Sequence, residues 1–253
     1  MSAEKAEALV IRLIDFSETS CVVTLFTREF GKVSALAKGA RRLKGPFESA
    51  LDLLARVRIV FLRKSSEALD LLTEAKLERR FRLPGRDLSR LYGAYYVAEL
   101  LSDLTDDGDP HADLFDAAVE ALDQLSGESI SSGDVILRWE LAALRILGHL
   151  PSLDVCVECG QNVVSGRRTA FGFTAGGVLC DSCRPGKKHV ATLSAEAVDR
   201  LRVFAEPSDA WRSTTIDRRT AGELRGVVNQ YVNHFLGRRP RMQEFLSPPG
   251  TRS

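Results

Sequence analysis

The chain has 253 residues and a hydrophobic content of 44%, which is enough for one large core or two to three small ones. No apolar run approaches the roughly eighteen residues of a membrane helix, and the first residues lack the order of an export signal. We therefore expect a cytoplasmic protein with reduced cysteines. The net charge of +1 divides into +4 over residues 1–80, −9 over 81–155 and +6 over 156–253. The two basic segments suit phosphate backbones, and the acidic one suits a protein partner or solubility.

Residues 7–80 have the apolar alternation and β-branched content that are typical of strands. The pattern predicts five strands, at 9–16, 20–27, 32–38, 56–61 and 69–79. Five short strands in a segment of this length favour a small closed barrel, for which an OB-fold is the natural candidate. An SH3-like barrel fits the same pattern.

Basic residues concentrate on the third and fourth predicted strands and in the glycine-containing loop between them. If the barrel forms, they are predicted to line one DNA-binding groove: Lys32, Lys38, Arg41, Arg42, Lys44, Arg56 and Arg58. The alternative is that these cations protect strand edges from aggregation. Among the phenylalanines of this segment, Phe16 and Phe26 end apolar strands and are expected in the core, so only Phe30 and Phe47, beside turns, are expected to meet a base. We therefore expect phosphate contacts to contribute more of the DNA affinity than base stacking does.

The apolar period changes to that of a helix after residue 87. The pattern predicts three helices, at 91–104, 114–125 and 135–147. Two further helices are expected near the end of the chain. Ser194 is predicted to cap the first, and a capping box formed by Thr220 and Glu223 is predicted to open the second, which ends at Gly237.

Four of the five cysteines form two Cys-x2-Cys pairs, Cys156 with Cys159 and Cys180 with Cys183. Each pair can direct both thiolates at one ion, and two pairs complete a tetrahedral shell. The spacing predicts one structural zinc ion per chain in a zinc-ribbon-like module over residues 154–189. Disulfides or a redox motif are the alternatives, but a redox Cys-x2-Cys is usually single.

Catalytic motifs are missing from the sequence. Four thiolates would fill the zinc shell and leave no position for an activated water. We find no phosphate-binding loop, no dinucleotide fingerprint and no nucleophile elbow. We therefore expect a protein that is not an enzyme and has no small-molecule substrate.

Several segments, in their order and spacing, resemble the bacterial RecO recombination-mediator family. They are TREFGKV at 27–33, AKGARRLK at 37–44, YVAEL at 96–100, LGHLPSLDVCVEC at 147–159, FTAGGVLCDSC at 173–183 and FL at 245–246. The resemblance implies an α+β protein in which an OB-fold at 1–82 binds DNA. A helical domain at 83–253 would follow, with the four-cysteine zinc module embedded in it.

The resemblance also implies a function in DNA repair. Family members bind single- and double-stranded DNA, anneal complementary strands, and help to load recombinase onto DNA coated by single-strand-binding protein. The implied partners are RecR and the acidic C-terminal tail of single-strand-binding protein, and the implied location is the nucleoid. Such a tail needs a cation beside an apolar cleft, and we place that cation at Arg138 or Arg145. The alternatives are a zinc-ribbon DNA-binding regulator and an accessory factor of a nuclease or ligase.

Overall fold

The structure, a computed structural model, describes residues 2–40, 47, 50–64, 68–163 and 168–250. The chain forms two compact units, residues 1–127 and residues 128–253. Both helices and strands are present, so the predicted α+β class is confirmed. Within the described ranges, no helix combines the length and the apolar character that crossing a membrane requires.

The first unit begins with the five predicted strands. They are β1 (Ser2–Asp15), β2 (Cys21–Thr27), β3 (Gly31–Ala37), β4 (Arg56–Arg63) and β5 (Asp70–Arg79). The strands close into a barrel in the order β1-β2-β3-β5-β4. Neighbours are antiparallel except for β3 and β5, which are parallel. Because side chains alternate between the two faces of a strand, residues such as Val23, Leu25 and Ile59 fill the interior.

Two helices complete the first unit, α1 (Leu88–Leu104) and α2 (Ala112–Leu125). Helix α2 packs on β2, where the rings of Phe115 and Phe26 stack with centroids 6.4 Å apart. The segment that connects α1 and α2 packs directly against the start of β3. The approach is so close that a Cβ atom at Gly31 would lie 2.0 Å from the Asp109 carbonyl oxygen. The domain boundary predicted after residue 82 coincides with the change from strands to helices. Helices α1 and α2 nevertheless belong to the same compact unit as the barrel.

The second unit combines three helices with a small sheet. The helices are α3 (Ser132–Ile146), α4 (Ala195–Ala205) and α5 (Arg218–Leu236). The strands are β6 (Thr169–Gly172), β7 (Gly177–Leu179) and β8 (Val190–Leu193), in the order β7-β6-β8. Short 3-10 helices occupy Ala210–Ser213 and Arg241–Phe245.

The helix termini in the second unit follow local rules, with one exception. The Ser194 hydroxyl accepts from the Ala197 amide, which confirms the predicted cap of α4. Gly237 ends α5 in the left-handed conformation with φ of +66°, also as predicted. The predicted capping box was wrong. Helix α5 begins at Arg218 because the Asp217 carboxylate caps it, and Glu223 instead accepts a 2.7 Å hydrogen bond from the backbone of Ser194.

Helices α3 and α5 share a buried ion pair. The Arg225 guanidinium donates to the Glu140 carboxylate at 2.6 Å. Their side chains are 8% and 0% exposed, respectively. A buried charge is tolerated only when it is paired, so this contact constrains how α3 and α5 pack.

Candidate metal centre and nucleic-acid interface

The four paired cysteines converge on one point of the second unit. The Sγ atoms of Cys156, Cys159, Cys180 and Cys183 all lie within 4.8 Å of one another. Those of Cys159 and Cys180 are 3.7 Å apart, and the cysteines are free thiols. Four sulfurs about 2.3 Å from a tetrahedral zinc ion would be about 3.8 Å apart. The cluster is therefore close to the size that such an ion requires, and it could hold one metal ion.

Local backbone turns hold each pair of thiols in place. The Gly160 amide donates to the Cys156 carbonyl at 2.8 Å, and the Arg184 amide donates to the Cys180 carbonyl at 3.0 Å. Between the pairs, β6 and β7 form a hairpin with a glycine-containing turn. A Cβ at Gly177 would lie 2.4 Å from the Ser152 carbonyl oxygen, so glycine lets the segment before Cys156 approach β7.

The thiols influence each other's ionisation. Burial opposes ionisation of Cys156, but nearby backbone N–H groups outweigh it and lower its pKa to about 6. The thiols of Cys180 and Cys159 raise the pKa of Cys183 to about 12. The four thiols therefore do not all ionise together at neutral pH by themselves, whereas a divalent cation would stabilise four thiolates.

The predicted DNA-binding arginines on β4 lie on the outer face of the barrel, in a groove of about 750 Å³. Arg58 pairs with Glu78 of β5. Arg56 pairs with Glu7 of β1 and lies 3.4 Å from a Glu78 oxygen. The charged lining is evenly divided between cations and carboxylates: Lys5, Arg56, Arg58, Lys76, Glu7, Glu29, Glu74 and Glu78. This face is therefore of mixed charge rather than basic.

The lysines of β3 have different environments. Lys32 Nζ donates to the carbonyl oxygens of Ser102 at 2.9 Å and Thr105 at 2.6 Å, where α1 ends. Its side chain is only 14% exposed, so Lys32 stabilises the helix terminus rather than presenting its charge to a groove. Lys38, directly after β3, is exposed. The predicted contacts Arg41, Arg42 and Lys44 lie outside the described residues.

Comparisons with known proteins cover nearly the whole chain. The family model described as Recombination protein O N terminal matches residues 1–81, and the one described as Recombination protein O C terminal matches residues 85–244. The chain belongs to the RecO family. The DNA repair protein RecO of Rhodopirellula baltica is 43% identical over 94% of this chain and 97% of its own length. That of Anaeromyxobacter dehalogenans strain 2CP-C is 35% identical over 99% of this chain and 98% of its own.

The predicted family is thus confirmed, and RecO membership supports a role in DNA repair by recombination. Which residues could contact DNA has to be identified from the surface of this chain itself. Of the seven predicted cations, the structure brings Arg56 and Arg58 together, places Lys32 elsewhere, and leaves Lys38 exposed at the end of β3.

The aromatic residues of the RecO barrel differ from the prediction. Phe47 is 3% exposed and belongs to the core, and Phe30 packs edge-on against Phe61 with centroids 5.6 Å apart. Phe16, which ends a strand and reads as a core residue in the sequence, is 65% exposed. Sequence reasoning missed it because the preceding strand is apolar. Its place immediately after Asp15, in the hairpin turn, is the signal that could have identified it.

The two arginines predicted to meet a protein partner also differ from each other. Arg138 donates to the Phe204 carbonyl at 2.6 Å, near the end of α4. Arg145, in the last turn of α3, has a buried Nε without a hydrogen-bond partner among the described residues. Among the described residues, Arg145 therefore lacks the backbone hydrogen bond that holds Arg138.

Proposed function

We propose that this chain is a recombination mediator that binds single- and double-stranded DNA, anneals complementary strands, and helps recombinase load onto strands coated by single-strand-binding protein. The observation that carries the proposal is the N-terminal barrel of a chain in the RecO family. It acts by binding alone and catalyses no reaction.

We assign the barrel to the OB-fold. The assignment is supported by its five strands, their order β1-β2-β3-β5-β4, and the single parallel pair β3–β5. OB-folds bind nucleic acid on the outer face of such a barrel, between the loops that connect its strands. Lys38 directly follows β3, and Arg41, Arg42 and Lys44 come next in the sequence, outside the described residues.

We also propose that the four cysteines hold one structural zinc ion. The support is the fit between the sulfur separations and a tetrahedral shell. An ion in this position would tie the segment before β6 to the turn after β7. The Lys187–Glu158 ion pair, with 2.6 Å between its nitrogen and oxygen atoms, already links the two cysteine turns.

Protein partners would be RecR and the C-terminal tail of single-strand-binding protein. Arg145 is our candidate for the carboxylates of that acidic tail, because, unlike Arg138, it donates no hydrogen bond to another described residue. Work on DNA would locate the protein at the nucleoid, in the cytoplasm.

Annealing of complementary oligonucleotides that are each coated with single-strand-binding protein tests the proposal. The intact protein should accelerate duplex formation without divalent metal or nucleotide in the buffer. Replacement of Arg41 and Arg42 by alanine should slow annealing and weaken binding to every sequence about equally, since phosphate contacts carry no base information. No acceleration by the intact protein would overturn the proposal. Binding to duplex of one preferred sequence would indicate a regulator.

A further inference from the structure

The turn between β1 and β2 presents apolar side chains to solvent. Phe16 is 65% exposed and Ile14 is 45% exposed. The turn is held in place, since the Phe16 amide donates to the Ser20 carbonyl at 3.0 Å. Single exposed apolar residues are ordinary, but Phe16 on the turn and Ile14 near the end of β1 together form a surface that needs an explanation.

The apolar surface continues across the barrel. Ile14 lies directly opposite Val22 on β2, and Val22 lies directly opposite Leu36 on β3. Directly opposite residues share one face of a sheet, and the neighbours Val23 and Ala37 point into the core. Ile14, Val22 and Leu36 therefore form an apolar row on the outside of β1, β2 and β3, with Phe16 beyond its β1 end.

Polar and basic groups flank this row. One step further along the strands, Arg12 lies opposite Thr24, and Thr24 opposite Ser34. Arg12 is exposed, as is Lys38 at the end of β3, and neither forms an ion pair with a described residue. The turns that carry Phe16 and Lys38 are close, because the Gly39 amide donates to the Ser20 hydroxyl at 3.4 Å.

We propose that Phe16 and the apolar row form a base-stacking platform for single-stranded DNA, with Arg12 and Lys38 holding the phosphates. The proposal rests on the proposed DNA-binding function and names the surface that prefers unpaired bases. Aromatic and apolar groups beside cations match a single strand, which offers base faces on one side and charge on the other. The row crosses the outer face of three strands, whereas an acidic protein tail would need a cation beside a cleft.

Substitution of Phe16 by tryptophan tests the contact directly. The native tryptophans, Trp139 and Trp211, are 2% and 3% exposed, so the introduced indole would dominate any fluorescence change on DNA binding. We expect its emission to be quenched by oligo(dT) and to change little with duplex DNA. No quenching at saturating oligo(dT) would overturn the proposal.

Phe16→Ala supplies the affinity measurement. Loss of one stacked base predicts oligo(dT) binding weaker by about 5-fold to 150-fold, with an unchanged dependence on salt. Duplex affinity should stay within about two-fold. The matched control is Leu88→Ala, which removes another exposed side chain of the same unit, 53% exposed at the start of α1, and should leave both affinities unchanged.

The possible outcomes separate the two proposals. If the intact protein binds neither DNA form, the proposed function fails. If it binds both while Phe16→Ala binds oligo(dT) normally, the stacking platform alone fails. If Phe16→Ala changes sedimentation rather than oligo(dT) affinity, the face is an interface between copies of the chain, and the platform is likewise refuted.

Discussion

Glu78→Gln should increase the dependence of DNA binding on salt. Glu78 contacts both Arg56 and Arg58 of the groove, so its carboxylate occupies positions that phosphates would otherwise take. The pairs are accessible, because the Arg58 side chain is 68% exposed. Exposed ion pairs contribute at most about 1 kcal/mol to stability. Each guanidinium that stays paired with a carboxylate nevertheless makes one phosphate contact fewer with DNA.

The magnitude follows from the number of available cations. With Lys32 at the end of α1 and both groove arginines paired, we count five cations for phosphate contacts: Lys38, Arg41, Arg42 and Lys44 from the prediction, and Arg12 beside the apolar row. At about −0.7 per contact, the slope of log K against log salt for a single strand should be about −3.5. Glu78→Gln should release Arg58 and give about −4.2, and Glu7→Gln with Glu78→Gln should release both arginines and give about −4.9.

Fluorescence anisotropy with labelled oligo(dT) over a range of KCl concentrations measures these slopes. Glu74→Gln is the matched control, because Glu74 lines the same groove and its replacement changes the net charge equally. No ion pair of Glu74 with an arginine occurs among the described residues, so its slope should stay near the wild-type value. Equal slopes for the two variants, or a wild-type slope already near about −4.9, would refute the reasoning.

Three further predictions concern stability and metal binding. Cys159→Ser should lower the zinc content below one ion per chain and increase hydrogen exchange over residues 154–189, because shells of this kind contribute about 10–16 kcal/mol in peptides. Glu140→Leu should destabilise the second unit by about 3–5 kcal/mol in urea by leaving Arg225 unpaired, and Arg225→Met in the same chain should restore part of the loss. Hydrogen bonding from Thr220 and from backbone amides lowers the pKa of Asp217, so its cap stabilises α5 fully above the ordinary pKa of 3.8 and less as the pH falls. The advantage in melting temperature of wild type over Asp217→Asn should therefore shrink from pH 7 to pH 3.

Tryptophan fluorescence can follow the unfolding of the Glu140, Arg225 and Asp217 variants, since Trp139 and Trp211 both belong to the second unit. Full zinc loading of Cys159→Ser would contradict the four-thiolate site. A double variant no more stable than Glu140→Leu would show that the unpaired arginine is not the cause of the loss. An advantage over Asp217→Asn that does not depend on pH would exclude the carboxylate charge as its source.

The sequence alone determined the features that depend on near neighbours along the chain. Alternation placed Val57, Ile59 and Phe61 on one face of β4, and all three are in the core. Each Cys-x2-Cys pair forms its turn from adjacent residues, so the pairing was readable before the structure. The cap at Ser194 and the stop at Gly237 are equally local.

Only the tertiary structure decided which charges meet. Lys32 and the carbonyl of Thr105 are 73 residues apart in sequence, and no periodicity relates them. The pairing of Arg58 with Glu78 depends on β4 lying beside β5, in a register with an irregularity after Arg56. For the same reason, Phe47, which was expected to be free, is buried, and Phe16, which was expected in the core, is exposed. Exposure is set by what the rest of the chain brings to cover a side chain, and the residues around it in sequence do not contain that information.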